Sequence, residues 1–488
     1  MNSLSSAVAH VGGVPSPRWF SSTSRLSRRV GAPGPQVAPP SGEVAAKRGL
    51  AVALLRAFSC LFVAAPFAHA AEPPVPVAAP MPLAIYAETL HTAAGAAIKD
   101  GLVLVDEHGK ISYVGPQAGV MVAAHFRGVH AKVVTPGLID ARATVGLSGL
   151  LNQPHDQDML ERSAAVQPEL RALDAYNAQD PLVAWVRVFG VTTVNTGHAP
   201  GTLVSGQTIV VKTNGRETEQ DIVNPAAMTA VSLGNAALNR SDGPGGASAA
   251  TAGPPRSPGT RAKAVAMLRA ELIKAQEYAK KREAKDEAKR PARDLKLETF
   301  LRALDGSQPL LIHADKQLDI LAALRLAKEF NLKIVLDGCA DAHLVLDGAA
   351  DAHEVLAQIK ASGFPVILHP TMARANEDSE NLAMDTAKKL HDAGIPFALQ
   401  SGYESYVPKT RVVLFEAAVA AGKGLGFDAA LASVTIDAAK ILGIADRVGS
   451  LEQGKDADLA LYDGDPFEYT SHCVGTVIGG QLYESGAH

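Results

Sequence analysis

Three histidines are placed where a side chain could do chemistry. His313 closes the apolar run Pro309-Leu310-Leu311-Ile312, His369 closes Val366-Ile367-Leu368, and His198 follows Val191 to Val194 within Asn195-Thr196-Gly197-His198. An imidazole can hold zinc through one ring nitrogen, or exchange a proton near neutral pH. Three of them emerging at one face could hold zinc in a three-His arrangement or act as acid and base without metal. Each can equally be a hydrogen-bonded structural histidine near a strand end. Asp315, Arg142 and Arg374 could bind an anionic ligand at the same face, with solvated salt bridges as the alternative. His343 and His353 fall at helix positions, where a ligand role is not expected. The stretch Gln153-Pro154-His155-Asp156-Gln157-Asp158 reads as a surface loop over the mouth, with gating as a further reading.

The elements that must position these residues repeat along the middle of the chain. Pro309 to Ile312 precedes a helical segment whose Ile320, Leu321, Leu324 and Ala327 share one face; Ile334 to Leu336, Pro365 to Leu368 and Pro396 to Leu399 follow, each separated from the next by a helix-length stretch. Repeated strand–helix units of this kind predict an α/β fold, a (β/α)8 TIM-like barrel whose chemistry sits at the C-terminal ends of the strands. Both ends of the chain read differently. Leu102 to Val105 and Ile111 to Val114 flank the turn Glu107-His108-Gly109-Lys110, predicting a hairpin, and Ala457 to Leu461, Val474 to Ile478 and Leu482-Tyr483 are punctuated by Asp463-Gly464-Asp465-Pro466 and Gly479-Gly480. Ser241 to Gly259 reads as a flexible loop, and Arg261 to Arg290 as a helix with Val265, Leu268 and Leu272 on its apolar face and a solvated remainder. A ten-residue duplication sets Val335 to His343 beside Val345 to His353; one copy is expected to be extruded from the barrel wall.

Composition narrows the classes. The 488 residues carry 46 Lys plus Arg against 50 Asp plus Glu, a net charge of -4, which leaves no basic nucleic-acid footprint. Three cysteines exclude a disulfide scaffold and multi-cysteine zinc patterns, so any metal would depend on His and carboxylates. The first 70 residues stand apart. Met1 to Leu50 carries Arg18, Arg25, Arg28, Arg29, Lys47 and Arg48 against the single acid Glu43. Lys47-Arg48 then leads into an apolar stretch from Gly49 to Phe67 and the site Ala68-His69-Ala70. That order predicts a secretory signal cleaved after Ala70, an exported (periplasmic or secreted) protein and no stable membrane span after cleavage. A buried or membrane helix is the alternative, weakened by Arg56 and Pro66.

Val133-Val134-Thr135-Pro136-Gly137-Leu138-Ile139-Asp140 resembles the segment that enters the barrel in the amidohydrolase superfamily, its imidazolonepropionase-like branch in particular. Ala432 to Gly443 and Val448 to Leu459 resemble that family's last barrel helix and its return to a small β-domain. With Pro309 to Ala314, the similarity covers most of Pro82 to Leu482. Beyond the leader at 1–70, the resemblance implies the N-terminal part of a β-sandwich at 71–135, the barrel at 136–445 and the remainder of the sandwich at 446–488. It further implies hydrolysis of non-peptide C–N bonds of a small molecule, with metal ions polarising the carbonyl. The family's ligand places are poorly matched. Its His-x-His falls on Arg142-Ala143-Thr144, its strand-six histidine on Gly338 or Gly348 with an Asp one residue earlier, and its catalytic aspartate on Gly402, with Glu404 two residues on. His313 matches and is the one retained metal ligand, and Lys212 is the candidate bridging lysine. The cofactor is therefore undetermined: zinc or another divalent metal is the candidate, with its expected ligands mostly absent. Two readings stay open, a hydrolase with a remodelled site on His313, His198 and His369, and a non-catalytic binding protein on the same barrel.

Overall fold

In β1 (Leu83–Leu90), Ile85 and Ala87 point into a core while Tyr86 and Glu88 point away, the period of a sheet with one solvated face. The computed structural model describes residues 81–151, 153–238, 257–344, 355–403 and 412–485. The leader, nearly all of the Ser241 to Gly259 tract, the second copy of the duplication with His353, and Glu404 lie outside them.

β1 pairs antiparallel with β2 (Ile98–Val105), which pairs with β3 (Ile111–Pro116); this is the hairpin expected around Gly109. On its other side β1 runs parallel to β4 (Arg127–Pro136). The chain then leaves for the central strands β5 (Leu138–Ala143), β6 (Val191–Thr196), β7 (Val204–Gln207), β8 (Ile209–Lys212), β9 (Ile222–Asn224), β10 (Thr229–Ser232), β11 (Leu310–Ala314), β12 (Ile334–Gly338), β13 (Val366–Leu368) and β14 (Phe397–Ala398), and returns in β15 (Leu459–Tyr462), β16 (Cys473–Ile478) and β17 (Gln481–Glu484). β15 pairs with β4, so the two ends of the chain do combine. They form one seven-stranded sheet in the order β17-β16-β15-β4-β1-β2-β3 rather than two separate sheets of a sandwich. That sheet rolls up. The amide of Ile111, at the β3 edge, donates to the Lys455 carbonyl at 3.0 Å, and the Gly454 amide donates to Ile111 at 2.8 Å, which encloses Ile85, Val103, Leu459, Leu461 and Val477.

The middle is mixed α/β. β10 to β14 run parallel in one sheet with β7 antiparallel at its edge, and β5 and β6 run parallel in a second with β8 and β9 antiparallel. The two sheets meet at both margins. The Thr208 amide donates to Met228 at 2.8 Å, and at the other margin Gly402 donates to the carbonyl of Arg142 at 3.3 Å. The helix Gln317–Phe330 follows β11 as expected, but its face is turned by one position. Ile320, Ala323, Leu326 and Ala327 are buried while Leu321 and Leu324 lie at the flanks. Asn331, in the left-handed region at φ 53°, ends that helix and turns the chain toward β12. The first copy of the duplication supplies the wall: Val335 to Gly338 lie in β12. The following His343 sits in a turn, not a helix. The long helix spans Arg261–Arg282 and buries Ala264, Leu268, Leu272, Ala275 and Tyr278. Among the described residues no helix is long and apolar enough to cross a membrane.

Lys212 is where expectation and structure part. β8 runs antiparallel to β6 with Lys212 opposite Thr193, toward the strand's N-terminal half, which carries the ammonium away from the ends that hold His198 and Arg142. Its Nζ is buried and donates to Asp456 at 2.7 Å and Asp458 at 3.0 Å, just before β15. It is therefore a tie between the central strands and the rolled sheet, not a bridging metal ligand. Asp456 also accepts from Lys110 at 2.5 Å and Arg447 at 2.9 Å, and these cations outweigh burial to hold its carboxyl well below the usual range. Removing Lys212 would strand Asp458 in a low-dielectric setting. Lys212→Met is expected to lose about 3–5 kcal/mol of stability in urea unfolding; a loss below about 1 kcal/mol, the level of an exposed pair, would contradict the tie.

Candidate active site

One layer of small and aliphatic side chains fills the centre of the strands, among them Ile139, Ala141, Leu311, Val335, Ile367 and Ala398. Two residues further along β11, β12, β13 and the end of β14, the same strand face is occupied by His313, Asp337, His369 and Gln400, all buried. The period of two thus converts an apolar layer into a polar one at the C-terminal ends of the parallel strands. His313 and Asp337 are direct register partners across β11 and β12.

The polar layer is a charge cluster. His313 Nδ1 lies 3.3 Å from Asp337 Oδ2 and Nε2 lies 3.5 Å from Asp315 Oδ2. Gln400 Nε2 donates to Asp337 Oδ1 at 2.7 Å, and the edge of Tyr403 meets the imidazole with ring centroids 5.4 Å apart. Arg142 enters from the end of β5. Its guanidinium is 1% exposed, places Nε 4.0 Å from Asp337 Oδ2, and donates from Nη2 to the carbonyl of His198; among the described residues Nε and Nη1 have no hydrogen-bond partner. Beside it Asp140 accepts from the amide of Ser401 at 3.1 Å and from its hydroxyl, joining the end of β5 to the segment after β14. A cavity of about 50 Å³ opens on this cluster, lined by His313, Asp315, Gly338, His369, Arg374 and Gln400 among others. Arg374 is exposed at its rim.

Burial and neighbours set the proton states. For His313, burial pulls the imidazole down, but Asp315 and Asp337 outweigh it and the net shift is upward. Burial raises Asp315, whereas in Asp337 burial is overcome by His313 and Arg142 and the carboxyl stays below its usual range. His198 is pushed down to about 4 by burial and then by the Arg142 charge; His369, with Nδ1 2.9 Å from the Pro370 carbonyl, is pushed to about 4 by burial. Burial also lifts Asp140 to about 6 against its Ser401 bonds.

The three histidines are therefore only partly brought together. His313 and His369 share a cavity, while His198 is linked to the cluster through its backbone and the guanidinium. Among the described residues no group of three His, Cys, Asp or Glu is placed to hold a metal, so the three-His arrangement is not formed. Asp337, Gln400 and Tyr403 are the site residues that reading the sequence left without a role. Their signal was the apolar-x-polar step at consecutive strand ends.

A family model described as "Amidohydrolase family" matches residues 385–483. An imidazolonepropionase of Thermoplasma acidophilum is 29% identical over 138 residues, 27% of this chain and 32% of that protein, so the chain spans about a third of its length. One of Mesorhizobium japonicum is 46% identical over 56 residues, 12% of this chain and 14% of that one. The crystal structure of an amidohydrolase from Thermotoga maritima superimposes over 83% of this chain and all of its own, with a TM-score of 0.72 and 27% identity. These likenesses support a place in the amidohydrolase superfamily. The metal that superfamily resemblance implies does not fit the residues present. Where the resemblance puts the first ligand of the His-x-His, Arg142 holds a permanent charge; at 4 Å and an effective dielectric constant of 20, a guanidinium would oppose a divalent ion by about 8 kcal/mol. Where it puts the strand-six histidine, Gly338 has φ +86°, and a Cβ there would stand 2.5 Å from Asp315 Oδ1 and 3.0 Å from His313 Cε1. No side chain enters that space without displacing the cluster.

The proton states can be checked through stability. His198 and His369 are neutral when folded and take up protons near their ordinary value, 6.5, only on unfolding. Their contribution is complete above pH 6.5 and lost as pH falls toward 4, by up to about 3 kcal/mol each. His313 runs the other way, its contribution complete below 6.5 and lost as pH rises through its lifted value. Melting temperatures of the wild type should fall between pH 7 and 4.5, and those of His369→Gln should fall less; parallel curves would contradict the burial assignment.

Proposed function

We propose that this amidohydrolase-superfamily chain is a hydrolase of small-molecule C–N bonds that works by acid–base chemistry at the mouth of a (β/α)8 barrel. The observation that carries this reading is the imidazole of His313 set between two carboxylates at the wall of a cavity, with Asp337 on Nδ1 and Asp315 near Nε2. Closure of the barrel is supported by the hydrogen bonds that join the two central sheets at both margins.

Asp337 holds the ring and its charge in place, as the orienting carboxylate does in other His-dependent sites. Nε2 and the Asp315 carboxyl then form a pair that shares one proton. Asp315 or the imidazole takes a proton from the attacking water as the C–O bond forms. The same pair returns a proton to the leaving nitrogen as the C–N bond breaks, so the site ends as it began. His369, neutral and lining the same cavity with Nε2 unpaired among the described residues, hydrogen-bonds the substrate, and Arg374 at the rim attracts an anionic group. Arg142 belongs to the interior, beneath the substrate, where it faces Asp337. Export, supported by the order of Lys47-Arg48, the apolar stretch to Phe67 and Ala68-His69-Ala70, would place this activity outside the cytoplasm. A binding protein without turnover is the second reading, favoured by the guanidinium at the end of β5.

Metal analysis of the purified protein together with a panel of amides, cyclic ureas and esters separates these. Turnover at under about one-tenth equivalent of metal, reduced by about 10²–10⁴-fold in His313→Gln, is the expected result. No turnover of any panel member, or turnover unchanged in His313→Gln, would remove the hydrolase reading.

A further inference from the structure

We infer that Arg142 is a built-in counter-cation for Asp337, so that the charge cluster at the ends of β5, β11 and β12 is complete without a divalent ion. Asp337 is fully buried, and a carboxylate there needs a compensating charge. Its Oδ1 is held by the neutral amide of Gln400 at 2.7 Å, which supplies a hydrogen bond but no charge. Its Oδ2 faces two groups able to supply one, His313 Nδ1 at 3.3 Å and Arg142 Nε at 4.0 Å. The imidazole can lose its proton, and it is already engaged by Asp315 at Nε2. The guanidinium cannot lose its charge, and it is anchored from the opposite side by the carbonyl of His198, so it holds one position whatever the proton on His313 does.

The side chains nearest this pair carry the same message. No described group of three His, Cys, Asp or Glu stands ready to take a metal. Gly338, directly after Asp337, leaves no room for a further ligand. The superfamily framework is thus kept while the cation that balances Asp337 on β12 comes from the chain itself. This role holds whether or not the mouth turns over a substrate, and its test reads stability and metal content alone.

The experiment is a double-mutant cycle on the full chain, read as melting temperature, with metal content measured in parallel. Arg142→Met leaves Asp337 with only the titratable imidazole of His313, Asp337→Asn leaves the guanidinium without a carboxylate, and each variant should melt lower than wild type. Arg142→Met/Asp337→Asn, which removes both charges, should melt higher than either single variant by about 3 °C or more. Arg142→Lys, which keeps the charge, should lose less than Arg142→Met. Should Arg142→Met fail to fold, recovery of a folded double variant still reports the coupling. Wild type should carry under about one-tenth equivalent of metal, and its melting temperature should be unmoved by chelator or by added zinc chloride. A double variant melting no higher than the weaker single, equal losses in the Lys and Met variants, or near-stoichiometric metal whose removal lowers the wild-type melting temperature would each overturn the inference.

Discussion

A guanidinium buried to 1% exposure at the end of β5 constrains everything around it. A charge removed from water must find fixed partners or it destabilises the fold by several kcal/mol. Arg142 finds a carbonyl on the segment after β6 and a carboxylate on β12, so β5, the segment after β6 and β12 are linked through a single side chain. Asp337 then sets the ring of His313, and Gln400 and Tyr403 follow from their contacts with that pair. Position 338 is confined to glycine by the same crowding, since its Cβ would collide with Asp315.

The same physics operates at the opposite ends of the strands. There Lys212 is the buried cation, Asp456 and Asp458 its partners, and the product is attachment of the rolled sheet to the central strands rather than a reactive centre. The difference lies in what faces the charges. The Lys212 cluster is closed off between two layers, whereas the Arg142 cluster adjoins a cavity with His369 and Arg374 on its wall. Two buried cations with similar partners therefore serve different ends, one holding layers together and one setting the electrostatics of a mouth.

Much of the architecture was legible beforehand because it depends on local period. Alternation in β1 to β3, the helix after β11 and the apolar strands ending in His313 and His369 are written in residues close together in the chain, where side-chain direction follows from backbone geometry. What was misjudged has a common cause. Lys212 is the candidate bridging lysine by resemblance alone, but its strand is antiparallel to its neighbour, and strand direction is a matter of pairing rather than of composition. His198, His313 and His369 were read as one group from their shared position at strand ends, yet convergence depends on how each ring turns once its neighbours are packed.

The amino-acid sequence by itself determined the α/β alternation, the strand patterns at both ends and the Val133 to Asp140 segment that resembles the superfamily's entry into its barrel. Only the tertiary structure decided which charges meet. Lys212 and Asp456 lie 244 residues apart, and Arg142 and Asp337 are separated by most of the central strands. Hydrogen-bonded and ion-paired contact requires approach within a few ångströms, and distances of that size are fixed by register and closure of the sheets, which no local pattern of residues encodes.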